Sequence, residues 1–202
     1  MEQQQIYPFC ALLSRMKYIT RWGLMRSARP ETLSEHVAET SIIAHMLGLI
    51  SRDILGEADI DPATLAVAAL YHDASEILTG DLPTPVKYKN ETLKTAYKAL
   101  EQQSAETLAG LLPKELQATL LPCLTGQTLT EKERILLKAA DRLSALIKCM
   151  EEEAGGNTEF SSAKKQQIAL LQQTNCPAAN YFMRHFLPCY AQNLDELTGG
   201  AF

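Results

Sequence analysis

Several things are missing from this 202-residue chain, and each absence narrows its chemistry. It has no Cys-x-x-Cys. The five cysteines, Cys10, Cys123, Cys149, Cys176 and Cys189, are odd in number and scattered, so neither a thiolate zinc site nor a disulfide framework is signalled. Basic excess is missing too: the net charge is −5, which argues against a globally basic binder of nucleic-acid polymers. No uncharged apolar run is long enough to cross a bilayer, and Met1-Glu2-Gln3-Gln4-Gln5 has neither the basic start nor the apolar stretch of a signal peptide. The expectation is a cytoplasmic protein with no membrane partner. Strand signals are nearly absent, since no run alternates Val, Ile or Thr with polar residues between turn residues.

Helical periodicity, in contrast, is widespread. Ile6, Phe9, Leu13 and Met16 fall on one face of a first helix. Thr32 with Glu35 three residues on is a capping box, opening a helix that runs to about Leu55 before Gly56. Asp61-Pro62 caps and starts a third, to Leu78, and Gly80 ends it. Two prolines make Asp81-Leu82-Pro83-Thr84-Pro85 a loop. Asn90 to Leu112 is a fourth helix, with Leu93, Tyr97, Leu100 and Leu108 inward. Thr130 and Glu133 box the start of a helix to about Glu153, and residues 158–173 and 178–197 supply the last ones, with Pro188 bending or breaking the end. Without an internal repeat or linker, residues 1–202 read as one all-α domain.

The chemistry concentrates in Tyr71-His72-Asp73-Ala74-Ser75-Glu76. A largely apolar helix has little reason to carry an imidazole and two carboxylates within five residues, because such groups lose hydration and gain nothing unless paired. A divalent metal would compensate them, since imidazole nitrogen and carboxylate oxygen are both ligands. Glu76, four residues after His72 and three after Asp73, shares their edge of the helix. The chain has four histidines. His36 lies in the first turn of the second helix, and His45, nine residues on, falls on its opposite side, so the two do not readily serve one metal. His45 and His185 read as surface or packing residues. Asp141, inside the apolar run Ile135 to Leu143, reads either as a partner of Arg142 or Lys138, or as a ligand delivered from a distant helix.

His36, then His72-Asp73, then Asp141 resembles the ligand pattern of the HD-domain metal-dependent phosphohydrolases. Arg21-Trp22, Ser34-Glu35-His36, Tyr71 to Glu76, the run Thr79-Gly80-Asp81-Leu82-Pro83-Thr84-Pro85-Val86-Lys87-Tyr88 and Lys138-Ala139-Ala140-Asp141 look like the bacterial 5′-deoxynucleotidase (YfbR-like) family within it. The likeness spans most of the chain; a bare His-Asp pair would be weak, and the long motif after Gly80 makes it specific.

That resemblance implies a single-domain HD-type helical bundle, with the metal-site core at about 30–145 and C-terminal helices at 158–197. It implies hydrolysis of 2′-deoxyribonucleoside 5′-monophosphates to deoxynucleosides and phosphate by a homodimer. One divalent metal per subunit (Co²⁺, Mn²⁺, Zn²⁺, Fe²⁺ or Cu²⁺) would be held by His36, His72, Asp73 and Asp141. Glu76 becomes the general acid/base, the alternative being a residue that orients His72. Arg21 would hold the phosphate and assist catalysis, and Trp22 would wall the sugar against a 2′-hydroxyl. His36, Asp73, Asp81, Thr84 and Asp141 also fall to the substrate, Asp81 through the sugar 3′-hydroxyl, while Lys87 reads either as a helper at the phosphate or, more simply, as a surface lysine. Rival readings are another HD phosphohydrolase, acting on cyclic nucleotides, deoxynucleoside triphosphates or alarmones, and a non-catalytic metal-binding interaction module.

Overall fold

A computed structural model describes residues 5–87 and 89–199, except for the side chain of Thr84. Tyr88 of the loop motif and the tetrapeptide at the start of the chain lie outside it. The described chain is helical throughout, its one β feature being an isolated bridge between Thr20 and Thr32. No described helix is long and apolar enough to cross a membrane.

The opening helix is shorter than the periodicity suggests. It is α1 (Phe9–Leu13) followed by a 3-10 turn, Ser14–Tyr18. Helix α2 (Leu33–Leu49) starts at the expected capping box, Thr32 accepting from the Glu35 amide and Glu35 accepting from that of Thr32. Its last turn widens into a π turn, Ile50–Ile54, ahead of Gly56. Asp61 caps α3 (Pro62–Tyr71). The expected continuation to Leu78 fails here. From Tyr71 the chain tightens into amide-to-carbonyl bonds of three-residue span, Ala74 to Tyr71 and Glu76 to Asp73, before α4 (Glu76–Thr79) resumes. Gly80 then leaves at φ 75°, a backbone angle that costs glycine little.

Helix α5 (Thr84–Lys87) corrects the expected loop. Pro85 lies in its first turn, where a missing N–H costs nothing because that N–H would have no intrahelical partner. Helix α6 (Glu91–Gly110) has Tyr97 and Leu108 inward as expected, but Leu100 is 46% exposed. Helix α7 (Lys114–Thr125), unassigned above, carries Pro122 only in its final turn and ends at Gly126 in the left-handed region. Helix α8 (Glu131–Ala154) opens at its Thr130–Glu133 box, and α9 (Ser161–Gln173) follows a 3-10 turn. The chain ends in α10 (Pro177–His185), a 3-10 turn holding Pro188, and α11 (Leu194–Thr198).

The main core lies between α2, α3 and α8, closed by α9 and α10, with Leu47, Leu65, Leu143, Leu146 and Phe182 buried in it. Helices α2 and α3 approach closely at Gly48, where an added Cβ would sit 2.9 Å from the Pro62 Cα. This packing decides the site, because α2 carries His36, the turn after α3 carries His72 and Asp73, and α8 carries Asp141.

Candidate metal centre and active site

His36 and His72 face one another with ring centroids 5.4 Å apart. Each ring is pinned at Nδ1. His72 Nδ1 donates to the Ala69 carbonyl at 2.7 Å, which the tightened turn brings within reach, and His36 Nδ1 lies 3.1 Å from Ser144 Oγ. The Nε2 atoms of both rings are buried and have no hydrogen-bond partner. The Asp73 Oδ2 lies 3.3 Å from Nε2 of His72 and 3.6 Å from that of His36, and Asp141 Oδ1 is 3.3 Å from His36 Nε2. His36, His72 and Asp73 offer ligand atoms all within 4.8 Å of one another, a group able to hold a metal ion; Asp141 lies outside that group but has its Oδ1 3.3 Å from His36 Nε2.

Asp141 is thus not engaged by its neighbours. Arg142 turns away to donate to the Leu170 carbonyl and the Thr174 hydroxyl. Burial alone would lower the His72 imidazole, but the carboxylates of Asp73 and Asp141 and the Ala69 carbonyl outweigh it and hold its pKa up at about 9. Burial likewise opposes ionisation of the two aspartates, but the histidines hold both below the usual carboxylate range, Asp141 at about 2. Two carboxylates, Asp73 and Asp141, part-exposed on one side, face two imidazole nitrogens that lack hydrogen-bond partners, and such mixed nitrogen and oxygen donors suit a borderline divalent ion. His45 is exposed and His185 packs its ring 4.4 Å from that of Tyr181, as expected of residues outside the site.

Glu76 lies beside this cluster and is 3% exposed. Burial and the Asp73 charge push its carboxyl up to about 8, and Lys87 pulls the other way. Lys87 is no surface lysine. Its Nζ is 2.7 Å from Glu76 Oε1 and 3.6 Å from Glu101 Oε1, and lies over the Tyr97 ring at 4.7 Å. Helix α5, read above as loop, puts it there. Asp81 is half-buried on the same stretch, and its charge adds to the rise at Glu76. The Thr84 side chain lies outside the described residues.

Arg21 and Trp22 sit on the segment between the Ser14–Tyr18 turn and α2. The guanidinium's charge reaches Asp73, helping to hold that carboxylate ionised. Arg21 Nη1 is buried without a hydrogen-bond partner, and its Nε lies 3.8 Å from Glu31. Trp22 adopts φ 61°, unusual for a bulky residue, donates from Nε1 to Glu31 Oε2 at 2.7 Å and packs edge-on to Phe160 at 5.3 Å. The segment is clamped onto α8 by Glu152, which accepts from the Ala28 amide at 2.7 Å, the Arg29 amide at 3.1 Å and the Asn157 side chain at 2.7 Å, and pairs with Lys148.

Sequence reasoning missed Glu31, Lys87, Glu152, Lys148 and Ser144. A signal on α8 was there to be read: Asp141, Ser144, Lys148 and Glu152 recur at helical spacing, and Ser144 and Lys148 fall within the helix's apolar stretch Leu143 to Met150. A cavity of about 480 Å³ opens from His72 and Asp141 between α6, α7 and α8, with Lys98, Arg134 and Lys138 at its edge.

The profile of the 5′-deoxynucleotidase YfbR-like family matches residues 8–190. The chain belongs to that family. It is 43% identical over 190 residues to a 5′-deoxynucleotidase of Cronobacter sakazakii, covering 94% of this chain and 95% of that one. It is 42% identical over 190 residues to 5′-deoxynucleotidase VP0926 of Vibrio parahaemolyticus, covering 94% and 97%. Among solved structures it is similar to an HD-domain phosphohydrolase of Listeria innocua, with a TM-score of 0.78, 24% identity and 95% of each chain covered. It is also similar to the HD phosphohydrolase DatZ of cyanophage S-2L, which was solved bound to dA and one catalytic Zn²⁺ ion, with a TM-score of 0.64, 17% identity and coverage of 96% and 100%. At those identities the two structures speak to the fold, an HD-type helical bundle.

Proposed function

We propose that this protein hydrolyses 2′-deoxyribonucleoside 5′-monophosphates to deoxynucleosides and phosphate. One observation carries the reading: the buried Nε2 atoms of His36 and His72, neither with a hydrogen-bond partner, converge on the Asp73 carboxylate, with Asp141 Oδ1 3.3 Å from His36 Nε2. His36, His72, Asp73 and Asp141 would hold one divalent ion, of the set Co²⁺, Mn²⁺, Zn²⁺, Fe²⁺ and Cu²⁺. When bound, such an ion supplies Lewis-acid polarisation of the phosphoryl group and an activated water.

The remaining roles belong to the chain's own groups. The free Arg21 Nη1 donates to a phosphate oxygen, a charge-assisted bond that its burial strengthens. Glu76, whose carboxyl feels the Asp73 charge, takes the proton as the water–phosphorus bond forms and delivers it to the 5′-oxygen as that P–O bond breaks. Trp22, fixed by Glu31 and Phe160, is a rigid wall that excludes a 2′-hydroxyl from the sugar site. Asp81 takes the 3′-hydroxyl, with Thr84 beside it. The protein works in the cytoplasm as a homodimer.

Metal analysis with a phosphate-release screen over dAMP, AMP, dATP and cyclic AMP tests this. The three cations Lys98, Arg134 and Lys138 beside the cavity make dATP the comparison that matters, because they could accept a polyphosphate tail. Turnover of dAMP well above the other three is expected. Preferential hydrolysis of dATP would move the reading to a triphosphohydrolase, and no turnover by metal-loaded protein would leave a binding module.

A further inference from the structure

The two histidines of the cluster are held differently. His72 donates to a neutral backbone carbonyl. His36 is fully buried, and its Nδ1 faces the hydroxyl of Ser144, which is also fully buried. That hydroxyl has one proton and lies 2.7 Å from Glu39 Oε2. The carboxylate is the stronger acceptor, so the hydroxyl proton points to Glu39, and Ser144 Oγ is left with lone pairs only for His36. The ring must then carry its proton on Nδ1 and present a bare lone pair at Nε2, towards Asp73 and Asp141. Thr40 Oγ1 also reaches Nδ1, but at 3.4 Å against 3.1 Å for Ser144 it is the longer and weaker contact.

The far end of this chain of bonds is not sealed. Glu39 lines a crevice of about 140 Å³ together with Glu31, Lys148 and Glu151. The chain of bonds thus runs from His36 through Ser144 to a carboxylate at a crevice that Glu31, the partner of the Trp22 indole, also lines. Burial raises the Glu39 carboxyl, and the Ser144 hydrogen bond is the largest influence opposing that rise.

We propose that Glu39 and Ser144 are positioning residues that hold His36 with its proton on Nδ1 and its Nε2 free to ligate, and thereby set the affinity of the site for its divalent ion. The inference rests on the reading of this cluster as a metal centre. A carboxylate linked to a ligating imidazole makes that imidazole more basic and fixes its orientation. Here the link passes through a serine, and the carboxylate comes from the ligand's own helix, one turn on.

The test is competition for Zn²⁺ between the full-length protein and a chromogenic chelator, with ¹⁵N NMR of the His36 ring and thermal melting of the metal-free protein alongside. Ser144→Ala and Glu39→Leu are expected to weaken Zn²⁺ binding about 10- to 100-fold, with Glu39→Gln, which keeps an acceptor oxygen without its charge, between these and the parent. The His36 ring is expected to change from the Nδ1-protonated form to a mixture in Ser144→Ala. Affinity within twofold of the parent in both Ser144→Ala and Glu39→Leu overturns the proposal, as does an unchanged tautomer, even if the melting temperature falls. Should Ser144→Ala not fold, the Glu39 variants, altered at the crevice, decide the matter alone. A parent protein that takes up no Zn²⁺ would sink the metal-centre reading instead, and the ring tautomer would still report on the Ser144 link.

Discussion

The ammonium of Lys87 meets the buried carboxyl of Glu76 at 2.7 Å, eleven residues away along the chain. Lys87 is the only basic group among the main influences on Glu76, which otherwise feels burial and the charges of Asp73 and Asp81. Removing the cation therefore disfavours the carboxylate and raises the pKa further. If Glu76 takes the proton from the attacking water, Lys87→Met should move the acid limb of the kcat/KM profile to higher pH. Activity at neutral pH should then fall about tenfold for each pH unit that the limb moves. Movement of the alkaline limb alone would instead make Glu76 the acid, and an unmoved profile would take it out of proton transfer. Glu76→Ala should lower kcat by about 10²- to 10⁴-fold at unchanged metal content. Near-normal turnover there would reduce Glu76 to a residue that orients the cluster.

Trp22 pays for its position with a left-handed backbone, which Glu31 and Phe160 hold in place. Strain of that kind is retained where a side chain must be aimed. Trp22→Ala opens the wall, so AMP should gain on dAMP, the ratio of their kcat/KM values rising about tenfold or more, because a steric clash is removed and no attractive contact is lost. Discrimination as firm as the parent's would show that the tryptophan only braces the segment. Glu31→Gln, which keeps the indole hydrogen bond but weakens the charge beside Arg21, should leave the sugar preference intact.

Much of this is legible along the chain, and the limits have physical causes. The capping boxes at Thr32 and Thr130 and the Asp61-Pro62 start are local chemistry, and the helices begin where those residues say. His72 and Asp73 stand out because they are costly to bury, His36 enters only through the family resemblance, and the fold brings the three together. The break after Tyr71 does not show, since an apolar run with good helix formers gives no sign that its bonds will tighten to a three-residue span. Lys87 misleads for a related reason. A proline in the first turn of a helix is harmless, so Pro83 and Pro85 do not prevent the turn that carries the lysine inward. The Lys148–Glu152 pair, buried in α8, looks from spacing alone like an exposed ion pair; only the loop lying over it makes it interior.

That pair gives a pH dependence of stability. Burial would raise the Glu152 carboxyl, but Lys148, the amides of Ala28 and Arg29 and the Asn157 side chain outweigh it and hold its pKa at about 2, against an ordinary 4.5. A depressed folded value means the carboxylate stabilises the fold fully above pH 4.5, and the contribution fades as pH falls through about 2. Glu152→Gln should therefore lower the melting temperature most at pH 6–7, where losing the charge beside buried Lys148 costs about 3 kcal/mol. The gap between variant and parent should narrow steadily on acidification. Trp22 fluorescence, which reports on the clamped segment, follows the same change. A gap independent of pH between 6 and 2.5 would mean that shape rather than charge is what Glu152 contributes.

Gly48 offers a test of the packing that aligns the metal-binding elements. Alanine in mid-helix is favoured over glycine by about 1 kcal/mol, so on an unobstructed face the substitution would stabilise. Here the new Cβ would lie 2.9 Å from the Pro62 Cα and 3.0 Å from its Cβ, atoms of a helix start that cannot swing aside as a flexible side-chain tip would. Overpacking of this kind costs about 1–3 kcal/mol, which exceeds the propensity gain. Gly48→Ala should thus lose about 1 kcal/mol net, a fall of about 2–4 °C in melting temperature for a chain of this length. Because α2 and α3 carry His36 and the approach to His72 on the same two rods, divalent-ion affinity should weaken with it. A variant that melts at or above the parent's temperature would show that Pro62 yields and that the close approach of these helices is not what sets their spacing.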